Sequence, residues 1–507
     1  MIKKTMRTIY ITLILLTFFN GTGISKIWLV SPDGEYKFCS EVSNLVSDND
    51  TIEINSGVYE NDKQVTWTKN NLLIRGVDKS KSWENNFLEK IANKPILRAG
   101  SIIANDNSNG KGIFVIRGNN TTVENIEFQN AKVQSRNGAG IRQEGSKLIV
   151  RHCVFNGNEM GILQGGSIQN CSILVEFCKF TNCGSPENPG FQHNIYINHI
   201  DTLIFRFNYT HDAIAEGHEF KSRANNNFIL YNRISNFNSV DSRNIDLPNG
   251  GTAVIVGNII EQGENSANSN IIGFGLEGLV NPGPHNLWIS SNTIVNKKSK
   301  GSFVNIASID TLFMKNNICV GAKTRGFIIG TPAFLDTSNN IINDNIDYPL
   351  FANVNGNDYH LTEESPANDS GIDLEYLIKG IGLIPQFVYK DTADFEARFR
   401  DDKIDIGAYE YVSTNSAKED TESEEAIFSI KISSKDDLIY FSFDSEIKLI
   451  NLGIFDILGN QVFSNSYPMN DLMNTIDLSS LNLKSGIYFA IFSSNSFTKC
   501  KKLLLLR

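Results

Sequence analysis

The sequence predicts an all-β chain, built as a long right-handed parallel β-helix followed by a small β-sandwich. Two observations carry that prediction. From Ile126 onward one short pattern recurs, an Asn, Cys or bulky residue followed two positions later by a large apolar one, with anchors at Phe128, Phe155, Phe180, Tyr209, Ile234, Ile260, Ile294 and Cys319. Successive anchors are 27, 25, 29, 25, 26, 34 and 25 residues apart by subtraction, a period that marks stacked repeats. Inside each period three short β-like runs are separated by Gly, Asn, Asp and Ser, and no apolar i, i+3, i+4 stripe occurs between residues 113 and 330. A leucine-rich repeat of similar period would need a recurring Leu lattice, which the sequence lacks.

At the N-terminal end, Lys3, Lys4 and Arg7 precede the apolar run Ile9 to Phe19, and small or polar residues follow. Residues 1–23 therefore read as a secretory signal peptide, since 11 apolar positions are too few to span a bilayer. No later stretch is long enough to span. The formal charge of -10 argues against a chain that coats nucleic acid or anionic membrane by bulk electrostatics, so an anionic ligand would need a locally basic site. Seven cysteines, an odd count with no CxxC pair, argue against a zinc site and for a sparse disulfide framework at most.

Residues 24–412 are assigned to the β-helix. Within it, "DNDTIEINSGVYE" (48–60) and "NNLLIRGV" (70–77) resemble the opening coils of pectate-lyase-like β-helices. "DYHLTEESPANDSGIDL" (358–374) and "RFRDDKIDIGAYEY" (398–411) resemble the segment that closes many secreted bacterial β-helices. Asn232, Asn258, Asn292 and Asn317 occupy equivalent places in successive periods and predict an internal ladder of buried amides that satisfy backbone groups. Residues 413–426 are polar and acidic, the composition of a linker. Residues 427–507 alternate strands and turns at the spacing of a small β-sandwich. With "IFDILGNQV" (454–462) and "IDLSSLNLKSGIYF" (476–489), this part resembles the C-terminal sorting domain of type IX secretion cargo, which implies a partner in the secretion machinery and a secreted or surface location. A carbohydrate-binding sandwich is the alternative, and it would show exposed aromatics for stacking on sugars.

Three windows spaced by 25 residues align without a gap: "HNIYIN" (193–198), "HEFKSR" (218–223) and "RNIDLP" (243–248). Strand periodicity sends Ile195, Phe220 and Ile245 inward, with Ile197, Ser222 and Leu247 in a second inward column. The outward columns expected from the same count are Asn194, Glu219, Asn244; then Tyr196, Lys221, Asp246; then Asn198, Arg223, Pro248. A solvated charged face is the ordinary reading of such a strand. Against it stands the clustering of His193, His199, His211 and His218, four of the seven histidines, around this one patch, with Asp212 and Glu216 in the preceding loop.

"EGHEFKSRANNNFILYNRI" (216–234) followed by "GGTAVIVGNIIEQG" (250–263) is similar to the pattern of the alginate lyase and chondroitin lyase B family of β-helix polysaccharide lyases. The resemblance implies a general base at Lys221 and a Ca²⁺ held by Glu and Asn side chains, here Glu219 with Asn194 and Asn244. The family's Arg one coil later has no counterpart in "IDLPNGG" (245–251). β-Elimination from a uronic acid needs its carboxylate neutralised, the adjacent carbon acid deprotonated and the leaving oxygen protonated. Arg223 or the Ca²⁺ is expected to neutralise, and Lys221 to act as base if crowding by Arg223 lowers its proton affinity. His193, His211, His218 or Tyr196 is expected to supply the proton, and Asn198 and Asp246 to bind substrate. The substrate class is thus an anionic polysaccharide.

Three other functions share the fold. A glycoside hydrolase needs two carboxylates across the scissile bond, for which Asp246 with Glu219 or Asp212 are the candidates. A uronan C5-epimerase differs from a lyase in the face that is reprotonated. A non-catalytic glycan-binding or adhesin β-helix would spread charge and aromatics along a whole face. Two insertions, "GSPENPGFQ" (184–192) and "NPGPHN" (281–286), border the patch, and loops in such places often wall a groove.

Overall fold

The computed structural model describes residues 25–411 apart from 79–90, 102, 106–107, 375 and 399–402, together with the strands and some of the turns between 428 and 505. The expected signal peptide and the whole of the acidic linker lie outside the described residues.

Residues 27–343 wind into a parallel β-solenoid of about 11 turns. Each coil contributes one strand to each of three long sheets, of 12, 11 and 10 strands. One coil shows the plan: Asn226–Leu230 lies in the first sheet, Arg233–Ser235 in the second and Ile245–Leu247 in the third. Strand pairing in all three sheets is parallel, with each residue stacked on its counterpart one coil away. Phe128, Phe155 and Phe180 stack down the interior with ring centroids 5.2 and 4.7 Å apart. A fully buried side chain of this kind contributes about 1.5–3 kcal/mol.

The asparagine ladder forms at the corner between the first and second sheets, and it is longer than the sequence pattern alone indicated. It runs Asn208, Asn232, Asn258, Asn292, Asn317, Asn340. In each step the backbone N–H and the side-chain Nδ2 of one Asn donate to Oδ1 of the next, as from Asn232 to Asn258 at 2.8 and 2.9 Å. Nδ2 also donates to a carbonyl one coil back, as from Asn232 to Phe205 at 2.8 Å. Chain groups that leave the sheet ladder at the bend are thereby paired. The residue before each ladder position turns through positive φ, 55° at Phe207 and 57° at Tyr231. The outward rings of His152, Phe177, Phe207 and Tyr231 stack at 4.9, 5.2 and 5.3 Å.

The segment after the last coil lies back along the solenoid. Phe387 packs edge-on against Phe207 and Tyr231. Gly407 N–H donates to Asn316 O at 2.8 Å, an approach that a Cβ would block, since it would meet Ile318 Cδ1 at 2.7 Å. Beyond this segment, Phe428–Ser433, Leu438–Phe443 and Asn474–Asp477 form one antiparallel sheet, and Leu449–Asp456, Gln461–Pro468, Gly486–Ser493 and Thr498–Leu505 form a second. Cys39, Cys153, Cys171, Cys178, Cys183 and Cys319 are buried free thiols.

Candidate active site

Strands Ile195–Ile197, Phe220–Ser222 and Ile245–Leu247 are consecutive in the third sheet, with Tyr196 opposite Lys221 and Lys221 opposite Asp246. The row continues upstream from Tyr196 through Leu163 to Arg142. Ile195, Phe220 and Ile245 are fully buried in the solenoid core, so the alternation read from the windows holds within the strands.

It fails one residue earlier. Asn194, Glu219 and Asn244 stand at the corner that precedes each strand, and all three are 0% exposed instead of facing the groove. Glu219 accepts from Ala213 N–H at 2.7 Å, the Thr210 hydroxyl at 3.0 Å and Asn194 Nδ2 at 2.6 Å. Asn244 Nδ2 donates to Glu261 O at 2.9 Å. Burial, with the charge of Asp241 second, pushes the Glu219 carboxyl well above the usual carboxylate range. A carboxyl that is 0% exposed and whose oxygens already accept from three protein donors does not fit a calcium site, which requires several ionised or carbonyl oxygens turned toward one point. Among the described residues no group of three or more His, Cys, Asp or Glu is placed to hold a metal.

The histidines are corrected as well. His193 and His218 stack at 4.9 Å, and each accepts on Nδ1 a backbone N–H from the next coil, from His218 at 3.0 Å and from Arg243 at 3.1 Å. An Nδ1 that accepts must carry its hydrogen on Nε2. Burial is the largest cause, and the charge of Lys221 adds to it, in lowering the His218 imidazole to about 3; burial and the neighbouring His218 hold His193 well below its ordinary value. Both rings are therefore neutral near pH 7 and brace the corner, instead of supplying a proton as imidazolium. His211 lies on Tyr209–His211 in the second sheet, with Nδ1 2.9 Å from Asp212 and its ring stacked on Tyr209 at 4.4 Å. It belongs to a different wall from Lys221.

Lys221 does point outward, and it meets two carboxylates. Its Nζ is 3.0 Å from Asp246 Oδ2 and 2.8 Å from Glu277 Oε1. Asp246, expected to bind substrate, is 1% exposed beneath Lys221, where Arg243 Nη1 at 3.1 Å and His218 Nε2 at 3.5 Å also face it. Arg223 does not stand alone against Lys221, because Glu277 lies between them and pairs with both. Arg223 donates from Nη2 to Glu277 at 2.5 Å, from Nη1 to Asn249 Oδ1 at 2.6 Å and from Nε to the Tyr196 phenol oxygen at 3.0 Å. Against an opposing effect of burial, hydrogen bonds from Lys221 and Arg223 hold the Glu277 carboxyl down at about 2. Glu277 lies just upstream of the predicted 281–286 insertion, and sequence reasoning missed it. The signal available was the 34-residue step that placed extra chain beside the patch.

Both insertions wall the groove. On one side Asn281 donates to Ala224 O at 3.1 Å and Gly250 O at 2.9 Å, fixing the turn that carries Glu277. On the other, Arg136 Nη1 donates to Glu187 O at 2.7 Å and Gln192 Nε2 to Arg136 O at 2.8 Å. Between Tyr196 and this second wall lies a cavity of about 340 Å³ that Asn198 helps to line.

The tailspike protein gp49 of Acinetobacter baumannii bacteriophage Fri1, described as a capsular polysaccharide depolymerase, is similar over 96% of this chain and 78% of its own, at 10% identity and a TM-score of 0.38. Pectin methylesterase PemA of Erwinia chrysanthemi is similar over 60% of this chain and 80% of its own, at 12% identity and a TM-score of 0.27. No curated protein matches the chain. No helix among the described residues is long and apolar enough to cross a membrane. Residues 434–506 match the family described as the secretion system C-terminal sorting domain, and the chain therefore carries the tail of a type IX secretion cargo bound for the cell surface or the exterior.

Proposed function

We propose that the chain is a polysaccharide lyase that cleaves a uronic-acid-containing polymer by β-elimination. The observation that carries this reading is the Arg223 guanidinium donating to the Tyr196 phenol oxygen at 3.0 Å, beside Lys221 and at the mouth of the cavity. Arg223 and Lys221 bring two positive charges to one point, now answered by the carboxylate of Glu277. A uronate carboxylate arriving there takes over the place of Glu277, and its neutralisation makes the adjacent C–H bond acidic enough to break. Tyr196 then moves the proton as a phenolate stabilised by the guanidinium N–H: its oxygen takes the hydrogen of the carbon acid and becomes the phenol, the electron pair of that C–H bond forms the new carbon–carbon double bond as the glycosidic C–O bond breaks, and the phenol gives the same hydrogen to the departing oxygen, which restores the phenolate. In this assignment Lys221 neutralises charge, with Asp246 fixing its position, and the catalytic proton does not pass through it.

The hydrolase alternative is less well supported by the same geometry. It needs one carboxyl kept protonated by an apolar or crowded setting. Asp246 is surrounded by Lys221, Arg243 and His218, Glu277 is held ionised, and Glu219, whose carboxyl burial pushes up, is 0% exposed and faces Asn194, Thr210 and Ala213 instead of the groove. The deciding experiment incubates the full chain with polymannuronate, polyguluronate, polygalacturonate and hyaluronate. Growth of the ultraviolet absorbance of an unsaturated uronate supports elimination. New reducing ends without that absorbance support hydrolysis, and neither product on any polymer overturns the enzymatic reading.

A further inference from the structure

The cavity upstream of Tyr196 has features that the cleavage chemistry does not use. Arg142 lies across its floor, over Gly165, where a Cβ would come within 2.3 Å of the guanidinium Nε. That close approach explains a glycine at a strand end beside the groove, since any side chain there would displace the arginine. Arg142 Nε is buried and has no hydrogen-bond partner; the nearest carboxylate, Glu144, is 3.8 Å away and is also claimed by Lys111 and Arg117 at 2.5 and 2.9 Å. Gln164 is 1% exposed, and its Oε1 accepts Asn198 N–H at 3.0 Å, while its Nε2 has no partner. A buried guanidinium N–H and a buried amide N–H without acceptors each carry a cost, and the rest of the Arg142 guanidinium, with 15% of the side chain exposed, is left with only the shared Glu144 to answer its charge. Arg136 adds a second cation to the lining, in a protein whose net charge is -10. Phe191, 71% exposed, stands at the rim.

We propose that this cavity is a binding subsite for an acidic sugar residue, distinct from the residue that undergoes cleavage. The sugar's carboxylate pairs with the Arg142 guanidinium, whose side chain keeps 15% of its surface exposed, and the apolar face of its ring lies on Phe191. The volume suits an ordered small ligand, and the donors suit an anion with two oxygens, because a guanidinium offers paired N–H groups to a carboxylate. The subsite deepens the lyase reading and names a second uronate as what the site recognises. Its position also gives the groove a direction, with an acidic residue held on the Arg142 side of Tyr196.

The test is binding to the full chain, read by calorimetry without turnover. The probes are mannuronate, guluronate, galacturonate and glucuronate trisaccharides, each as the free acid and as the methyl ester. At least one free acid binds, its ester binds at least about tenfold more weakly, and Arg142→Gln reproduces that loss on the free acid. Phe191→Ala, an exposed position whose change leaves the melting temperature unmoved, weakens binding about threefold or more. The proposal is overturned if no free acid binds, if ester and acid bind alike, or if a folded Arg142→Gln variant binds as the parent does. A chain that binds through Arg142 yet produces no unsaturated uronate refutes the lyase reading and leaves the subsite standing. A chain that eliminates while ignoring Arg142 does the reverse.

Discussion

Glu277 and Arg223, 54 residues apart in sequence, meet through Oε2 and Nη2 at 2.5 Å, and the other oxygen of the same carboxylate reaches Lys221 at 2.8 Å. An internal carboxylate thus occupies the two cations that a uronate would use. Glu277→Ala removes that competitor, and the expected outcome is a lower KM for the anionic polymer with kcat within about threefold. A raised KM would show that Glu277 helps to bind substrate instead.

The same bridge has a defined acid limit. The folded-state carboxyl, held at about 2, lies below its ordinary 4.5, so its stabilising effect is present above about pH 4.5 and is lost as pH falls toward 2. The KM advantage of Glu277→Ala is therefore expected to persist unchanged from neutrality down to about pH 5. An advantage that disappears on mild acidification would contradict the bridge.

Tyr196→Phe removes the phenol oxygen that faces Arg223 and leaves the ring in place. The expected loss in kcat is about 10²–10⁴-fold, the usual contribution of a positioned proton carrier. Melting temperature and trisaccharide binding stay near those of the parent. If kcat survives, proton transfer lies elsewhere, with Lys221 the next residue to replace.

The buried histidine pair makes stability depend on pH in one direction. His218 has a folded-state value of about 3 against an ordinary 6.5, so the unfolded chain binds a proton between those values and the folded chain does not. Stability is full above about pH 6.5 and falls as pH drops toward 3, with a slope of up to about 1.4 kcal/mol per pH unit for each such histidine. Denaturant melts of the parent and of His218→Gln across this range provide the check. Parallel profiles would show that His218 is not the group responsible.

Removing one rung of the amide ladder leaves several groups unpaired at once. Asn232→Ala strands the Asn208 backbone N–H, removes one of the two bonds of the Asn208 amide, which keeps Val175 O at 3.0 Å, and takes the side-chain donor from the Phe205 carbonyl, at a cost of about 2–4 kcal/mol. The ladder lies at the corner of the first and second sheets, away from the groove on the third. The folded fraction is therefore expected to keep the parent's kcat and KM.

Much of this was legible in the sequence because a solenoid repeats its burial. The 25-residue spacing fixed which strands are neighbours, and Ile195, Phe220 and Ile245 fixed their inward face. The count of two went wrong at Asn194, Glu219 and Asn244 because side chains alternate only while the chain is extended, and these residues stand at the bend before the strand begins. His193 and His218 follow the same lesson: spacing shows that they stack, while burial and the backbone N–H on each Nδ1 decide that they stay neutral. Glu277 could not be paired in advance, since no periodicity constrains how an insertion folds back. The Gly165 position was equally silent, because its meaning depends on where the Arg142 side chain lies.

The amides of the ladder all lean the same way, so the row has a polarity. Every Asn from 208 to 317 hands its unmet donors to its successor, and none of them is self-sufficient. Asn340 ends the sequence by turning its own Nδ2 onto the carbonyls of Thr337 and Met314, both at 2.8 Å. A chain cut between any two of these coils would finish on dangling N–H groups, which makes the terminal coil a stopper for the whole solenoid and gives shortened forms of the protein no clean place to end.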